Sequence, residues 1–541
     1  MAKMTGGQAL AQSLIRHGQE VLFGLPGVQL DWIFEALWQV RDELRVVYTR
    51  HEQATSYMAD GYARSTGKVG VSLVVPGPGL MNAMAGLSTA YACSSPVLCI
   101  AGQIASSQIG KNRGFLHEVP HQQQMVASVS KWAACAYHPE EIPELVQEAY
   151  RQLRTGRPRP VVLEVPPDVL QATGDVTLVD PVSVTAPAGD PARLEDAARL
   201  LGEAKRPVIL AGGGVISSNA TEEVQALSKL LEAPVIMTVE GKGTVPFDSP
   251  YAQNMISGRE LFPSADVVLI VGSRYLDPQN AGLRPREGQK IIQIDIDPEE
   301  IGRNHDPDVS IQADARLALG TLVERVPEFN HERESREAEM LAAKEKAADR
   351  LYEIQPQGAF ADAIRAALPK DGIYVAGITQ LGFWSREGFP AYQPRTYLSA
   401  GYQGTLGFAM ATALGAQVGN PDRRAISVSG DGGFMYNVQE LGTAVQQGIN
   451  LVMIVFNDSA YGNVLRMQKE AFGPDHLIAT RLYNPDFMKL ADSYGLAGRR
   501  VHTPGEMKST LDEVLQEDHP TLIEVPVGEL PSVWPILFDR D

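Results

Sequence analysis

Short apolar runs alternate with amphipathic stretches over the first third of the chain. Residues 7–17 and 30–38 carry apolar positions at helical spacing, and continuous apolar runs predict buried strands at 21–24, 45–49, 69–75, 97–101 and 161–165. Strands that alternate with helices indicate a parallel sheet with helices on both faces. Residues 1–170 are therefore predicted to form one doubly wound α/β domain.

The same alternation returns twice. Residues 171–190 are poor in large apolar side chains and rich in Pro, Thr and Asp, which is typical of a linker. Apolar runs at 207–211, 233–238, 267–272 and 290–296 predict a second α/β domain over 190–330, and runs at 425–429 and 451–456 belong to a third over 355–541. The charged stretch 330–352 predicts a solvated helix. A chain of 541 residues exceeds one typical core, so the predicted fold is three doubly wound parallel-sheet domains, the first and third alike in architecture.

The net charge and the cysteines indicate which kinds of partner and which cellular compartment are expected. The formal net charge of -18 argues against a nucleic-acid or anionic-membrane partner, because both would be repelled. Cys93, Cys99 and Cys135 lack metal-ligand spacing, which predicts reduced thiols in a cytoplasmic protein. The sequence shows no apolar leader and no run long enough to span a bilayer, so a soluble protein is expected.

The stretch 425–464 carries the strongest candidate chemistry. A buried strand leads into Gly430-Asp431-Gly432, a helical pattern follows over 435–447, and the next strand ends at Asn457-Asp458. Neighbouring parallel strands deliver their carboxyl ends to one edge of a sheet, so Asp431 and Asp458 are expected to reach one hard cation such as Mg²⁺. The sequence therefore predicts a site for a divalent cation and a diphosphate.

This arrangement resembles the thiamin diphosphate signature, in which GDG is followed by a pair of asparagines. The resemblance extends over most of the chain: the motifs at 50–53, 58–64, 76–79, 241–243, 294–298 and 404–407 are similar to those of the acetohydroxyacid synthase and pyruvate oxidase group. It implies thiamin diphosphate and Mg²⁺ as cofactors. It further implies decarboxylation of a 2-oxo acid followed by carbon–carbon bond formation with an aldehyde or a second 2-oxo acid.

The resemblance assigns roles in the first domain. Glu52 matches the carboxyl group that hydrogen-bonds the aminopyrimidine ring and lets the cofactor act as its own base. Further cofactor-binding positions are Pro26, Gly27 and Asn82, and the substrate pocket includes Val28 and Gln29. Val28 stands where simple pyruvate decarboxylases carry an acidic residue, which favours a synthase or a lyase.

The third domain receives the rest of the implied site. Leu406 would support the bent cofactor, and the neighbouring Gly404 and Thr405 would bind it. Mg²⁺ would be held by Asp431, Asp458 and the Ala460 carbonyl. The backbone amides of Gly432, Gly433, Tyr461, Gly462, Asn463 and Val464 would form a diphosphate nest, with Gln380 as an added donor.

Several positions depart from the resemblance. Asp458 replaces the second asparagine, Leu381 replaces a histidine common in the synthases, and Met467 stands where a tryptophan usually selects the acceptor. In the loop 114–122, His117 and His121 are candidates for general acid–base chemistry, with the alternative that they are surface residues.

Three alternatives stay open at this level. The enzyme could release an aldehyde as a 2-oxo acid decarboxylase, cleave a 2-hydroxyacyl thioester as a lyase, or be a catalytically silent regulatory homologue. The middle domain is predicted to be a nucleotide-binding fold, which holds FAD, holds ADP or is empty. The motifs that indicate this fold are Gly212-Gly213-Gly214 and Gly272-Ser273-Arg274. The resemblance places Glu52 and Asp431 on different subunits, which predicts a homodimer at least and a tetramer as a dimer of dimers.

Overall fold

Three six-stranded parallel sheets form the framework of the protein, seen in a computed structural model that describes residues 1–276 and 283–538. Each sheet carries helices between its strands, as predicted for doubly wound domains. The domain boundaries themselves remain predictions.

The first sheet is built from the chain up to residue 176. This part of the chain contains the strands β1 (Ala2–Thr5), β2 (Val21–Gly24), β3 (Arg45–Tyr48), β4 (Gly70–Val74), β5 (Val97–Gly102), β6 (Trp132–Cys135), β7 (Val161–Val165) and β8 (Thr173–Val176). Its helices are α1 (Gly6–Arg16), α2 (Asp31–Gln39), α3 (Glu52–Thr66), α4 (Pro78–Ala92), α5 (Gln122–Val126), α6 (Ile142–Arg154) and α7 (Pro167–Gln171). The strand order is β3-β2-β4-β5-β7-β6, and β1 pairs with β8 in a separate antiparallel ribbon.

The second sheet has the order β11-β10-β9-β12-β13-β14, which is common in dinucleotide-binding folds. Its strands are β9 (Val208–Ala211), β10 (Val235–Met237), β11 (Ala252–Gln253), β12 (Val267–Val271), β13 (Lys290–Asp295) and β14 (Val309–Gln312). The helices are α8 (Pro191–Glu203), α9 (Gly213–Ser217), α10 (Thr221–Leu231), α11 (Met255–Leu261) and α12 (Ala315–Arg325), followed by α13 (Glu337–Tyr352).

The third sheet repeats the relative strand order of the first, as β16-β15-β17-β18-β20-β19. Its strands are β15 (Ile373–Ala376), β16 (Tyr397–Ser399), β17 (Ala425–Gly430), β18 (Val452–Asn457), β19 (Ala497–Arg500) and β20 (Thr521–Pro526). The helices are α14 (Gln357–Ala367), α15 (Gln380–Gly388), α16 (Phe408–Gly419), α17 (Asp431–Phe434), α18 (Leu441–Gln446), α19 (Gly462–Phe472), α20 (Phe487–Tyr494), α21 (Pro504–Val514) and α22 (Trp534–Phe538).

The direction of strand addition reverses near the middle of each sheet, between β2 and β4, between β9 and β12, and between β15 and β17. Open α/β sheets bind ligands outside the carboxyl ends of the strands at this point. The loops that leave these strands carry residues 25–29 and 75–77, residues 212 and 272–274, and residues 377–379 with the start of α17. Most of the predicted site residues therefore lie at or beside the reversal points.

One apolar core joins the first and third sheets through α3 and α16. Tyr57 and Met58 of α3 belong to the same buried cluster as Phe408 and Leu414 of α16. The two helix backbones touch: a Cβ added to Gly415 would lie 1.9 Å from the Met58 carbonyl oxygen. This contact places the first turn of α3, where Glu52 lies, beside the loop that leads into α16.

Replacing Gly415 by alanine is expected to destabilise the protein, although alanine favours helix formation. The added methyl group would overlap the Met58 carbonyl, and overpacking of this kind costs about 1–3 kcal/mol. Gly320→Ala is the matched control, because Gly320 lies inside α12 with no atom within 4 Å of an added Cβ. Thermal unfolding followed by circular dichroism should show a lower midpoint for Gly415→Ala alone; equal midpoints would contradict the tight contact.

Two local predictions are corrected by the structure. The stretch predicted as a linker contains β8, which pairs with β1 at the amino terminus. The solvated helix begins only at Glu337 and buries one face through Met340, Ala343, Ala347 and Leu351. Its apolar positions follow helical spacing, which the high charge of the stretch conceals.

The predicted helix 435–447 is divided. A 3₁₀ segment, Met435–Glu440, contains Asn437 in a non-helical conformation, and α18 follows it. The Asn437 side chain donates to the Gly407 carbonyl oxygen at 2.7 Å, a tertiary hydrogen bond that competes with regular helix.

The cysteines are unpaired, and no membrane-spanning helix occurs in the described ranges. Cys99 is buried, whereas Cys93 and Cys135 are half-buried. Burial raises the pKa of Cys99 to about 12, which keeps its thiol protonated. Among residues 1–276 and 283–538, every helix is too short or too polar to cross a bilayer.

Candidate active site

Two carboxylates meet at the carboxyl edge of the third sheet. Asp431 begins α17 directly after β17, and Asp458 follows the neighbouring strand β18. Burial raises the pKa of Asp431, and burial together with the Asp431 carboxylate raises the pKa of Asp458 to about 7. Two such carboxylates share a proton unless a cation lies between them. The pair therefore fits a hard divalent cation, which prefers oxygen ligands.

The remaining ligands would come from groups other than acidic side chains. Nowhere in the described part of the chain are three or more His, Cys, Asp and Glu residues arranged to hold a metal ion. The Ala460 peptide N–H donates to Asp458 Oδ1 at 3.1 Å, so the backbone of Ala460 begins beside the pair. A backbone carbonyl and phosphate oxygens would complete the coordination of Mg²⁺, which commonly keeps phosphate as a co-ligand.

Asn484 orients the first carboxylate and was not predicted. Its Nδ2 donates to Asp431 Oδ2 at 2.6 Å and to Asn457 Oδ1 at 2.9 Å. Asn457 in turn donates to Glu524 Oε1 at 2.8 Å, so its side chain is occupied by protein partners. The sequence signal was weak, since Asn484 precedes Pro485 in a loop and reads as an ordinary turn.

Two glycines of the predicted diphosphate nest lie close to their neighbours at this edge. A Cβ on Gly432 would lie 2.6 Å from the Tyr461 ring, and one on Gly462 would lie 2.2 Å from Asp458 Oδ2. Both positions therefore require glycine for close approach. Gly462 begins α19, whose first turn contains Asn463 and Val464, so its free backbone N–H groups lie beside the carboxylate pair.

The loop before α16 reaches the same edge. Leu406 lies next to Gly433, where an added Cβ would be 3.5 Å from Leu406 Cδ2. Gly404 is exposed and has a φ of +57°, a conformation that favours glycine. The Thr405 hydroxyl is held by Tyr57 at 2.9 Å and by Thr89 at 3.0 Å, which leaves its backbone for a ligand.

Gln380 lies at the start of α15, beyond the loop that follows β15. Its side chain is buried, and its Oε1 atom has no hydrogen-bond partner among the described residues. Buried polar groups are normally paired, so an unpaired carboxamide oxygen at this edge is consistent with a bound ligand that donates a hydrogen bond to it.

The predicted activating carboxylate lies in the first sheet's half of the site. Glu52 is the first residue of α3, and its Oε2 atom accepts a hydrogen bond from Asn82 Nδ2 at 3.0 Å. A Cβ on Gly79 would lie 3.2 Å from Glu52 Oε1, so the turn after β4 borders this carboxylate. The loop with Pro26 and Gly27 packs against the same turn, since a Cβ on Gly27 would lie 2.4 Å from Val75 Cγ1.

Glu440 fixes the turn that leads into Glu52 and was also missed. Both of its carboxylate oxygens lie 3.1 Å from the Arg50 peptide nitrogen, and its side chain is fully buried. Burial raises the pKa of Glu440, while the hydrogen bonds from Thr443 and the Arg50 backbone lower it. No local pattern links residues 50 and 440, because the contact arises only from packing between the two units.

The two candidate histidines are in different environments. His117 is half-buried, and its Nδ1 atom lies 3.1 Å from Gln29 Oε1. His121 is exposed, and it precedes α5. Both have positive φ, of 66° and 58°. Only His117 is thus connected to the predicted pocket residues.

The two apolar pocket candidates are solvent-accessible. Val28 is 64% exposed and Met467 is 55% exposed. They lie on different units, Val28 at the loop after β2 and Met467 on α19. Exposed apolar side chains beside two halves of a site indicate a surface that another molecule covers.

A cavity of about 750 Å³ opens beside the second sheet. Its lining includes Gly214, Arg157, Arg274, Asp295 and Trp534. Close packing explains part of the glycine run at 212–214, because a Cβ on Gly214 would lie 2.5 Å from Gly272 Cα. The cavity itself is large enough for a nucleotide, and it offers both cationic and anionic side chains.

Known proteins resemble the whole chain. Residues 4–125 match the N-terminal TPP binding domain of thiamine pyrophosphate enzymes, residues 194–322 the central domain and residues 377–525 the C-terminal TPP binding domain. A probable acetolactate synthase large subunit of Methanocaldococcus jannaschii is 34% identical, over 98% of this chain and 94% of its own.

Two further relatives match nearly the whole chain, and one of them is named for a different reaction. A probable 2-ketoarginine decarboxylase of Pseudomonas aeruginosa is 35% identical over 96% of this chain and 94% of its own. The acetolactate synthase isozyme 1 large subunit of Escherichia coli is 30% identical over 99% and 96%. These matches confirm the resemblance seen in the motifs. The chain belongs to the thiamine pyrophosphate enzymes, in the acetolactate synthase group.

Proposed function

We propose that the protein is a Mg²⁺-dependent carboligase that decarboxylates a 2-oxo acid on thiamin diphosphate. The remaining acyl unit is then joined to an aldehyde or to a second 2-oxo acid. The observation that carries the proposal is the paired Asp431 and Asp458 beside the glycine nest. When bound, thiamin diphosphate would supply a carbon acid that becomes nucleophilic on losing its proton, and a cationic ring that can accept the electron pair of a departing carboxylate.

The residues of the third unit would hold the cofactor. Asp431, Asp458 and the Ala460 carbonyl would bind Mg²⁺, and the amides of Gly432, Gly433 and residues 462–464 would bind the diphosphate. The predicted Tyr461 amide is left out, because it donates to the Thr480 carbonyl oxygen at 2.8 Å. Gln380 would add a side-chain donor. Leu406, which lies beside Gly433, would support the ring system from one side.

Glu52 would exchange a proton with the aminopyrimidine ring. Its carboxyl group is oriented by Asn82 at 3.0 Å, and the turn before it is fixed by Glu440 at 3.1 Å. A carboxyl group held in this way keeps its position while it gains and loses a proton. The substrate would then contact Val28, Gln29, Met467 and His117.

A second candidate function is release of an aldehyde, and His117 is the observation that favours it. The decarboxylated acyl unit must take up a proton to leave as an aldehyde, and an imidazole is suited to supply one near neutral pH. The relative named a probable 2-ketoarginine decarboxylase supports this alternative. Both functions share the decarboxylation step and differ only in the second reactant.

Product analysis separates the two functions. The purified protein with thiamin diphosphate and Mg²⁺ is incubated with pyruvate, 2-oxobutanoate and 2-ketoarginine, each with and without an aldehyde acceptor, and products are identified by mass spectrometry. A 2-hydroxy ketone or 2-hydroxy-2-alkyl-3-oxo acid supports the carboligase, and an aldehyde alone supports the decarboxylase. Absence of saturable thiamin diphosphate binding in a circular dichroism titration would overturn both.

We propose that the cavity beside the second sheet binds FAD, with ADP as the alternative ligand. The strand order of this sheet and the volume of about 750 Å³ support a dinucleotide. Arg157 and Arg274 line the cavity and would pair with a diphosphate. Visible absorption of the purified protein detects flavin, and chromatography of the heat-released ligand detects ADP. A protein that carries neither, and binds neither on titration, would have a purely structural central unit.

The active unit is proposed to be a homodimer, in which Glu52 of one subunit works with Asp431 of its partner. Exposed apolar residues beside both halves of the site support a covered surface, among them Val28, Met81, Leu116, Val464 and Met467. Sedimentation of the protein at several concentrations tests the subunit count.

A further inference from the structure

The backbone at His117 is held in an unfavourable conformation. Its φ is 66°, in the left-handed region that residues other than glycine adopt infrequently. Such strain persists only where neighbouring groups fix it, and it is common at functional sites. One neighbour is the turn after β4: a Cβ on Gly77 would lie 2.3 Å from the His117 carbonyl oxygen. This is the turn that also borders Glu52.

Gln29 is the second neighbour, and it contacts the histidine loop twice. It is buried at 7% exposure in the 3₁₀ turn Val28–Leu30. Its Nε2 atom donates to the Leu116 carbonyl oxygen at 3.2 Å, and its Oε1 atom lies 3.1 Å from His117 Nδ1. Both contacts come from one planar carboxamide, whose two ends have opposite hydrogen-bonding character.

The pairing determines where the imidazole carries its proton. A carbonyl oxygen can only accept, so the end of Gln29 that faces Leu116 must be the NH₂ group. The other end is then the carbonyl oxygen, which also can only accept. His117 Nδ1 must therefore bear a hydrogen and donate it to Gln29. In the neutral ring this leaves the lone pair on Nε2.

We propose that Gln29 is a positioning residue that fixes the Nδ1-protonated tautomer of His117 and keeps Nε2 as its proton-exchanging atom. The inference rests on the proposed function, in which His117 contacts the substrate. Nε2 accepts a proton from a reacting hydroxyl group, or returns one when the ring is cationic, while the Nδ1 hydrogen stays on its bond to Gln29. The imidazole ring can thus exchange a proton at Nε2 without rotating about its bond to Cβ.

The nearest acidic side chain in the loop is engaged elsewhere. Glu118 Oε2 accepts from the peptide nitrogens of Gly114 at 2.7 Å and Phe115 at 2.9 Å, which closes the loop upon itself. Among the described contacts of the His117 ring, the polar partner is the neutral Gln29. The orientation of the imidazole therefore comes from a carboxamide, which fixes the tautomer without adding a charge.

Two substitutions of Gln29 distinguish its hydrogen bond to the His117 ring from its hydrogen bond to the Leu116 carbonyl. Gln29→Leu removes both contacts. Gln29→Glu retains an oxygen that accepts from Nδ1, but it has no hydrogen to donate to the Leu116 carbonyl. If Gln29 acts only on the loop, the two variants should behave alike; if it fixes the tautomer, the glutamate variant should resemble the wild type at the ring.

Nitrogen NMR of the apoprotein reads the tautomer directly. The protein has 10 histidines, so selective ¹⁵N-histidine labelling gives a tractable spectrum in which the signal missing from His117→Gln identifies His117. In spectra recorded at alkaline pH, the wild type and Gln29→Glu are expected to show a protonated Nδ1 and an unprotonated Nε2. Gln29→Leu is expected to show a mixture of tautomers. A wild-type ring protonated on Nε2, or an unchanged tautomer in Gln29→Leu, would overturn the proposal.

Turnover tests the consequence of this assignment. Gln29→Leu is expected to lower kcat about 10-fold or more with unchanged thiamin diphosphate affinity, and to have little further effect in a His117→Gln background. Equal losses in both backgrounds would show that Gln29 acts independently of His117. Full turnover by His117→Gln would instead contradict the proposed role of His117, while the NMR result would still decide the tautomer.

Discussion

Glu52→Gln is expected to lower kcat by about 10²- to 10⁴-fold, the range typical for loss of a positioned acid–base group. The carboxamide keeps the size of the side chain and can still bond to Asn82, which contacts Glu52 at 3.0 Å in the native protein. It cannot gain and lose a proton at the ring nitrogen of the cofactor. Steady-state kinetics with the substrate found in the product analysis gives kcat, and a circular dichroism titration gives the affinity for thiamin diphosphate, which is expected to change by less than about 10-fold.

Glu35→Gln is the matched control for this variant. Glu35 lies on α2 of the same unit, is exposed and accepts a hydrogen bond from Gln39. The control has the same change of charge without contact with Asn82, so wild-type turnover is expected. A Glu52→Gln protein with full turnover and normal cofactor binding would remove Glu52 from the proposed chemistry.

Asp431→Asn is expected to abolish productive binding of the diphosphate and Mg²⁺, with an affinity loss of at least about 100-fold. Asp431 is buried beside Asp458 and is oriented by Asn484 at 2.6 Å. A neutral carboxamide would reduce the charge available to the cation and disturb this hydrogen bond. Isothermal titration with Mg²⁺ at saturating thiamin diphosphate, together with residual turnover, measures the loss.

Asp458→Asn is the informative control, because an asparagine stands at this position in the thiamin diphosphate signature. It keeps an oxygen ligand, and cofactor binding should be retained. The pKa of Asp458 is raised to about 7, so wild-type Mg²⁺ affinity should increase as the pH rises through about 7 and the proton is lost. Asp458→Asn should show no such pH dependence. Equal losses from both substitutions would mean that the charge of the pair, and not its geometry, holds the cation.

The two inactive variants together test the arrangement of subunits. If Glu52 and Asp431 of one site come from different subunits, a mixed dimer of Glu52→Gln and Asp431→Asn contains one intact site. Co-expression should then restore part of the wild-type turnover. If no mixed dimer regains activity, although both forms are shown to associate, the site lies within one chain.

The sheets and the cofactor loops were predictable because their signals are local. Continuous apolar strands such as β7, and glycine turns such as that around Asp431, are determined by neighbouring residues and by the rule that parallel strands end at one edge. The ribbon of β1 and β8 was missed because its residues are mostly polar or half-exposed, so apolar periodicity carries no information about it.

The supporting contacts could not be predicted, because they join residues far apart in the sequence. Asn484 reaches Asp431 over 53 positions, and Glu440 reaches Arg50 over 390. Each is a polar side chain without a motif of its own, and its role depends on how the helices and loops pack. The contact of Gln29 with His117, 88 positions away, is of the same kind.

The buried contact between α3 and α16 also has a consequence for synthesis of the protein. The ribosome completes α3 early, but α16 appears only after the entire second sheet has been made. Until then the part of α3 around Met58 and Gly61 lacks the α16 backbone that covers it in the folded protein. Transiently exposed apolar surface is prone to aggregation, so the long interval between the two helices leaves this face vulnerable during translation.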